Sequence, residues 1–169
     1  MLIQDLQNSY KSIYEKRSFV LFHAMFRYIF NRPFRTSVDV YNMIHTTNSF
    51  LKKRKKYRIN RLYGCDVGMH ASIQKGLILP HSFGVVIGNN VEIGEYCTIY
   101  QNVTLGKKND FHPKIGNHVT IYASSIIIGN VKIGDWSIIG AGSIVLHDVL
   151  EGTVVAGNPA QILRRKNER

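Results

Sequence analysis

Aliphatic residues recur at every sixth position through the second half of this chain, and the spacing shifts only twice. Their thirteen positions are Val67, Ile73, Leu79, Ile87, Ile93, Ile99, Leu105, Ile115, Ile121, Ile127, Ile133, Ile139 and Val145. A helix requires apolar residues three and four apart, and an ordinary strand requires them two apart, so this period fits neither. It fits short strands joined by tight turns, in which one aliphatic side chain per strand points inward and stacks on its equivalents in adjacent coils. This aliphatic series therefore predicts a mainly β fold, a parallel β-solenoid of hexapeptide repeats.

Residues 2 to 50 lack the series and carry a loose apolar stripe that predicts helix, broken by the proline at position 33. We therefore divide the chain into an α-helical N-terminal segment with a basic run (1–62), the solenoid (63–157) and a C-terminal tail (158–169). The helices are expected to cover the first coil or to pack against another subunit. The apolar stretch 19–30 is shorter than the roughly 20 residues of a membrane span, and no signal peptide is indicated. The 2 cysteines suggest no disulfide framework, which favours a reducing cytoplasm.

The formal net charge of +11 is concentrated in the first part of the chain. Residues 1–66 hold 13 Lys/Arg against 4 Asp/Glu, a balance of +9, and most of the excess lies in the run KKRKKYRINR at 52–61. Such a run is typical of a solvated helix end, and it also suits an anionic substrate or peripheral contact with an anionic membrane. Nucleic acid is not expected as a partner, because no known nucleic-acid-binding module accompanies the run.

The two shifts in the series mark loops, and each loop contains one histidine. The first loop is LPHSFG (79–84) with His81, and the second is GKKNDFHP (106–113) with His112. Loops on a rigid scaffold commonly carry function, so both histidines are candidates for chemistry. Cys97 falls on a small inward position of the repeat, where packing is its expected role.

Three segments of the chain resemble the hexapeptide-repeat acyltransferases, and in particular their serine acetyltransferase branch. They are HSFGVVIGNNVEIGEYCTIYQNVTLG (81–106), HPKIGNHVTI (112–121) and VVAGNPAQI (154–162). The resemblance extends over about 65–163. It implies that the solenoid is a left-handed parallel β-helix, that the chain forms a homotrimer, and that acetyl-CoA is the co-substrate, bound in a groove between neighbouring coils. It implies no metal.

The resemblance also implies roles for individual residues. His81 matches the family's catalytic histidine, the general base that takes the proton of the acceptor hydroxyl. Asp66 matches the carboxylate that orients this base, and His112 matches a second active-site histidine from the other side of a subunit cleft. The positions that match the lining of the pantetheine arm are Gly106, Ala123 and Ala141. Candidate partners of the CoA phosphates are Lys107, Lys108, Arg164, Arg165 and Lys166.

Two positions depart from the serine acetyltransferase pattern. The acid that precedes the catalytic histidine is Pro80 here, and the arginine that precedes the second histidine is Phe111. An amino-acid acceptor needs a fixed cation and a fixed anion, so both losses argue against free serine. With LPH in place of the acid, this chain resembles the short O-acetyltransferases that modify bacterial surface polysaccharides. The expected acceptor is therefore a hydroxyl of a sugar or of a surface polysaccharide precursor, with serine O-acetylation in cysteine biosynthesis as the alternative.

Two further readings come from other functional classes. The γ-type carbonic anhydrases share the coil and bind zinc through three histidines, for which His81, His112 and His118 are roughly placed. Their spacing does not match that family, and Asp66 together with the GNPA sequence favours acyl transfer. A non-catalytic solenoid used only for assembly is the other reading, because fold alone does not imply activity.

Overall fold

The computed structural model describes residues 31–165 of the chain, and the expected helical stripe before position 31 and Lys166 lie outside this range. Helix α1 spans Arg32–Ile44 and helix α2 spans Ser49–Tyr63. The strands that follow are β1 (Asp66–Val67), β2 (Ser72–Ile73), β3 (Val86–Ile87), β4 (Glu92–Ile93), β5 (Thr98–Ile99), β6 (Thr104–Gly106), β7 (Lys114–Ile115), β8 (Thr120–Ile121), β9 (Ile126–Ile128), β10 (Lys132–Ile133), β11 (Ile138–Ile139), β12 (Ile144–Val145), β13 (Thr153–Gly157) and β14 (Ala160–Arg165).

Both helices begin at an asparagine cap. Asn31 Oδ1 accepts the N–H of Phe34 at 3.1 Å, and Asn48 Oδ1 accepts the N–H of Leu51 at 3.0 Å. These side chains replace hydrogen bonds that the first helical turn cannot make for itself. The proline at position 33 does not interrupt α1, because it lies in the first turn, where its missing N–H has no helical partner to lose.

The strands form three sheets that the chain visits in turn. The first sheet has the order β1-β3-β6-β9-β12, the second β10-β7-β4-β2, and the third β14-β13-β11-β8-β5. Neighbours within a sheet pair in parallel and belong to successive coils; the exception is the antiparallel pair of β13 and β14. The prediction of a mainly β parallel solenoid, preceded by helix, is confirmed.

The core of the solenoid is the aliphatic series. Pairing places its members directly over one another, as for Ile87 with Leu105 and Leu105 with Ile127. Every one of the thirteen side chains is at most 4% exposed. Cys97 is also fully buried, in agreement with the packing expected for it, and burial raises the pKa of its thiol to about 12.

The coils turn at the third residue after a member of the series. Non-glycine residues with a left-handed backbone at this place are Asn90, Tyr96, Asn102, His118, Ser124 and Trp136, with φ between 54° and 62°. A glycine that directly follows a member of the series has a different purpose, because it allows neighbouring coils to approach closely. A Cβ on Gly94 would lie 2.7 Å from the carbonyl oxygen of Gly116 in the next coil, too close for any side chain.

At the C-terminal end of the solenoid, β14 pairs antiparallel with β13 as the edge strand of the third sheet, and it lies within the segment predicted as a C-terminal tail. The two strands are joined through Asn158 and Pro159, whose peptide bond is cis. In the range 31–165 no helix has the length and apolar character needed to cross a membrane.

Candidate active site

The segment that carries His81 is held in place by both helices. On one side, the buried N–H of Leu79 donates to Ser37 Oγ of α1 at 3.1 Å. On the other, Ser82 Oγ donates to the carbonyl oxygen of Tyr63, the last residue of α2, at 3.4 Å. His81 itself is exposed between these two anchors. Its position therefore depends on how the helices dock against the first coil.

A cavity of about 330 Å³ opens beside His81. The described residues that line it are Arg32, Pro33, Pro80, His81, Ser82 and Phe83. The imidazole centroid lies 6.4 Å from the ring of Tyr100, which stacks on Tyr122 at 5.0 Å. Burial, and then the charge of Tyr122, raise the pKa of Tyr100, so its hydroxyl stays protonated. A neutral imidazole in such a cleft is able to accept a proton from a bound hydroxyl.

Asp66, the predicted partner of His81, has another partner in this structure. Its Oδ1 lies 2.7 Å from Lys56 Nζ on α2, with the two side chains 51% and 34% exposed. Among the residues that the structure describes, no hydrogen bond joins Asp66 to His81. The contact with Lys56 could not be predicted from the sequence, because the lysine stands in a run of like charges that favours no single partner.

His112 follows a two-residue hairpin turn in the second loop. Lys108 and Phe111 exchange both backbone hydrogen bonds at 3.0 Å, and the two residues between them, Asn109 and Asp110, have φ of 50° and 64°. This is the geometry of a type I′ turn, which asparagine and aspartate tolerate well. The turn leaves Phe111 57% exposed and His112 half-buried. The Nδ1 atom of His112 is buried without a hydrogen-bond partner in the described part of the chain.

The predicted site residues divide between two corners of the coil. The His81 corner, between the third and the first sheets, contains His81, Ala123 and Ala141. The His112 corner, between the first and the second sheets, contains Gly106, Lys107 and His112. Asp66 lies in β1 of the first sheet, and Arg164 and Arg165 end β14 at the far end of the third. One chain therefore does not bring the two histidines together.

Gly106 has more space around it than packing within the chain requires. The nearest described atom to a Cβ built there is Ile128 Cγ1 at 3.6 Å, an ordinary contact. At Gly94, by contrast, a Cβ would lie too close to the next coil. The backbone of Gly106 is not in the left-handed region either. Among the described residues neither close approach nor backbone conformation requires a glycine at this position, so the surface beside the second loop is open. Lys107, the next residue, forms an exposed ion pair with Asp110 at 2.9 Å.

Comparison with known proteins places this arrangement in a family. The family described as "Bacterial transferase hexapeptide (six repeats)" matches residues 112–147. The serine acetyltransferase of Staphylococcus epidermidis is 38% identical over 150 residues, which cover 78% of this chain and 70% of that protein. The chain belongs to the serine acetyltransferase family of hexapeptide-repeat proteins.

Other members of the family resemble the chain over shorter parts of their length. Serine acetyltransferase 2 of Arabidopsis thaliana is 42% identical over 116 residues, 66% of this chain and 36% of the plant protein. The crystal structure of serine acetyltransferase from Neisseria gonorrhoeae matches 99% of this chain and 69% of its own with a TM-score of 0.79 at 27% identity. The chain spans between 29% and 46% of the length of the plant and cyanobacterial relatives it matches.

The predicted acceptor, a hydroxyl of a sugar or surface polysaccharide, is wrong, and so is the predicted place in polysaccharide biosynthesis. The relatives and structures that match this chain over most of its length are serine acetyltransferases. The error came from Pro80 and Phe111, because two missing charges beside the histidines were taken for the loss of an amino-acid site. A charged side chain can line the same cleft from another element, as Arg32 of α1 does here.

His118, considered as a zinc ligand, lies at the third corner of the coil, between β7 and β8. Its ring is stacked between Tyr96 at 5.3 Å and Trp136 at 3.9 Å. Within residues 31–165, no three His, Cys, Asp or Glu side chains are grouped closely enough to hold a metal ion. The stack could have been found in the sequence, because all three residues stand three places after a member of the aliphatic series.

Much of the basic run is occupied by contacts within the chain. Besides Lys56, three of its side chains make polar contacts with described partners. Lys52 donates to the carbonyl oxygen of Ile44, Lys55 donates to the hydroxyl of Thr46, and Arg58 pairs with the carboxylate of Asp39. These contacts fasten α2 to α1 and to the first coil, which favours a structural role for the run. Its peripheral contact with a membrane stays a prediction.

Proposed function

We propose that this protein is a serine O-acetyltransferase that transfers the acetyl group of acetyl-CoA to the hydroxyl of serine, a reaction of cysteine biosynthesis. The observation that carries the proposal is the likeness to serine acetyltransferases over 78% of the chain. The exposed imidazole of His81 in a fixed cleft supplies the chemistry that such a transfer needs.

The proposed reaction is a direct transfer with His81 as general base. A ring nitrogen of His81 accepts the proton of the serine hydroxyl while the oxygen attacks the thioester carbonyl carbon. The tetrahedral intermediate then collapses, the C–S bond breaks, and the imidazolium returns the proton to the CoA sulfur. The products are O-acetylserine and CoA. Asp66 would orient the imidazole, as carboxylates do in other histidine pairs, once its contact with Lys56 is exchanged for one with His81.

We further propose that the site is completed between two chains of a homotrimer. The division of the predicted residues between two corners supports this arrangement, since the His81 corner of one chain can face the His112 corner of its neighbour. The unpartnered Nδ1 of His112 supports it as well, because a buried polar atom usually finds a partner. In this arrangement Gly106, Ala123 and Ala141 line the groove for the pantetheine arm, and Lys107, Arg164 and Arg165 are candidates for the CoA phosphates.

The test of the proposed function is thiol release from acetyl-CoA by the purified full chain. We expect release that depends on serine and saturates with it, together with O-acetylserine as the product identified by mass. Threonine, ethanolamine and a reaction without acceptor serve as comparisons. Thiol release that is the same with and without serine, from a folded protein, would refute the proposal.

A further inference from the structure

The described lining of the His81 cleft contains one permanently charged side chain, Arg32. The other residues that line it are two prolines, the base His81, Ser82 and the exposed ring of Phe83. Phe111, which follows the hairpin turn of the second loop, is uncharged as well. A cation that would fix an anionic substrate beside His81 is thus supplied, within this chain, by α1.

Arg32 is held at this place by the start of α1 and by the end of α2. It is the first residue of α1, directly after the cap Asn31. One of its terminal nitrogens, Nη2, donates to the carbonyl oxygen of Leu62 at 3.2 Å. The docking of α1 is fixed in turn by Ser37, which accepts the N–H of Leu79 two residues before His81. Arg32 and His81 are therefore held beside the same cavity by these contacts, although they are far apart in the sequence.

Among the described residues, the guanidinium of Arg32 keeps donors available for a ligand. A guanidinium carries five N–H donors in a planar fork, and the contact with Leu62 uses one nitrogen. Across 31–165 no carboxylate lies within ion-pair distance of Arg32. The fork matches the two oxygens of a carboxylate, which it binds through parallel charge-assisted hydrogen bonds.

We infer that Arg32 binds the carboxylate of the acceptor and so makes the His81 cleft specific for an amino acid. The inference rests on the proposed function and names the residue that selects its substrate. In serine the hydroxyl and the carboxylate are separated by two carbon atoms, so one cleft with a base and a cation can hold both. Arg32 thereby supplies the positive charge that Phe111 lacks in the second loop.

The test compares two acceptors on three forms of the full chain. L-serine carries the carboxylate, whereas L-serinamide presents a neutral amide at the same place. For Arg32→Gln we expect KM for serine to rise by about 10- to 100-fold, the range for loss of a charge-assisted bidentate contact, while KM for serinamide and for acetyl-CoA stays within about twofold. Arg32→Lys keeps the charge without the fork and should fall between the two.

The matched control is Arg61→Gln in the last turn of α2, an exposed arginine that does not line the cleft. It makes the same change of charge and should leave KM for serine and KM for serinamide unchanged. An Arg32→Gln variant with wild-type KM for serine would overturn the inference alone. So would an equal rise for serine and serinamide, which would indicate a structural role for Arg32. A wild-type chain that acetylates neither acceptor would instead refute the proposed function itself.

Discussion

The two candidate histidines lie in the two interruptions of the same repeat, yet the chain holds them by opposite means. His81 is fixed by contacts with distant parts of the chain, through Ser37 and Tyr63 of the helices. His112 is presented by a short hairpin that closes on its own backbone hydrogen bonds. The first position therefore depends on helix docking, and the second is formed locally. The Nδ1 atom of His112 has no hydrogen-bond partner among the described residues, which is consistent with the proposed completion of this corner by a second chain.

The largest effect is expected at His81. His81→Ala should lower kcat by about 10²- to 10⁴-fold, the contribution of a positioned general base, while acetyl-CoA still binds. Steady-state thiol release measures kcat, and calorimetry measures binding of the coenzyme. The control is His147→Ala, an exposed histidine between β12 and β13 that should leave kcat unchanged. A loss smaller than tenfold would remove His81 from the role of base.

The second prediction tests whether the two corners meet between chains. His81→Ala and His112→Ala are each expected to be nearly inactive, but co-expression in equal amounts should restore about a quarter of wild-type activity. The fraction follows from random assembly, in which about one interface in four pairs an intact His81 corner with an intact His112 corner. Mixing the separately purified and undissociated variants is the control. Co-expressed chains with no more activity than either variant would show that no active site combines His81 of one chain with His112 of another.

The third prediction concerns the groove beside the His112 corner. Because a Cβ fits at Gly106 among the described residues, Gly106→Ala should fold normally, with a melting temperature close to that of the wild type. In the groove, the added side chain should clash with the pantetheine arm and cost about 1–3 kcal/mol of binding, which is roughly 5- to 150-fold in KM for acetyl-CoA. KM for serine is the internal control and should not change. Normal KM for acetyl-CoA in a folded variant would exclude Gly106 from the groove.

Contacts within the repeat were predictable from the sequence, whereas contacts between the helices and the repeat were not. Each member of the aliphatic series stacks on the residue that holds the same place in the next coil, so the core follows from the spacing alone. The hydrogen bond from Leu79 to Ser37 spans 42 residues and the contact from Lys56 to Asp66 joins two unlike elements. Both depend on how α1 and α2 dock, which no period in the sequence encodes. For the same reason, the position of Arg32 beside His81 could not be predicted from the sequence.

The dependence of the His81 corner on the helices can be measured at Ser37. Ser37→Ala leaves the buried N–H of Leu79 without its acceptor, which should lower the free energy of unfolding by about 1–3 kcal/mol. The matched control is Thr36→Val, because the Thr36 hydroxyl donates only to the carbonyl oxygen of Arg32 within α1. Urea unfolding followed by circular dichroism gives both values. Equal losses for the two variants would show that the hydrogen bond to Leu79 is not what holds the first loop.

The smallest effect is expected at Lys56, and it decides what Asp66 does. The Lys56–Asp66 ion pair is well exposed, so Lys56→Gln should change stability by no more than about 1 kcal/mol. If Asp66 exchanges Lys56 for His81 during turnover, losing the lysine leaves kcat within about fivefold of wild type, the rate equivalent of that energy. Asp66→Asn, measured beside it, should lower kcat further, because an amide cannot stabilise the imidazolium. The opposite ranking, with Lys56→Gln the more damaging variant, would make the ion pair itself the functional unit and leave His81 without a carboxylate partner. Asp66 would then serve the docking of α2 rather than the chemistry of the cleft.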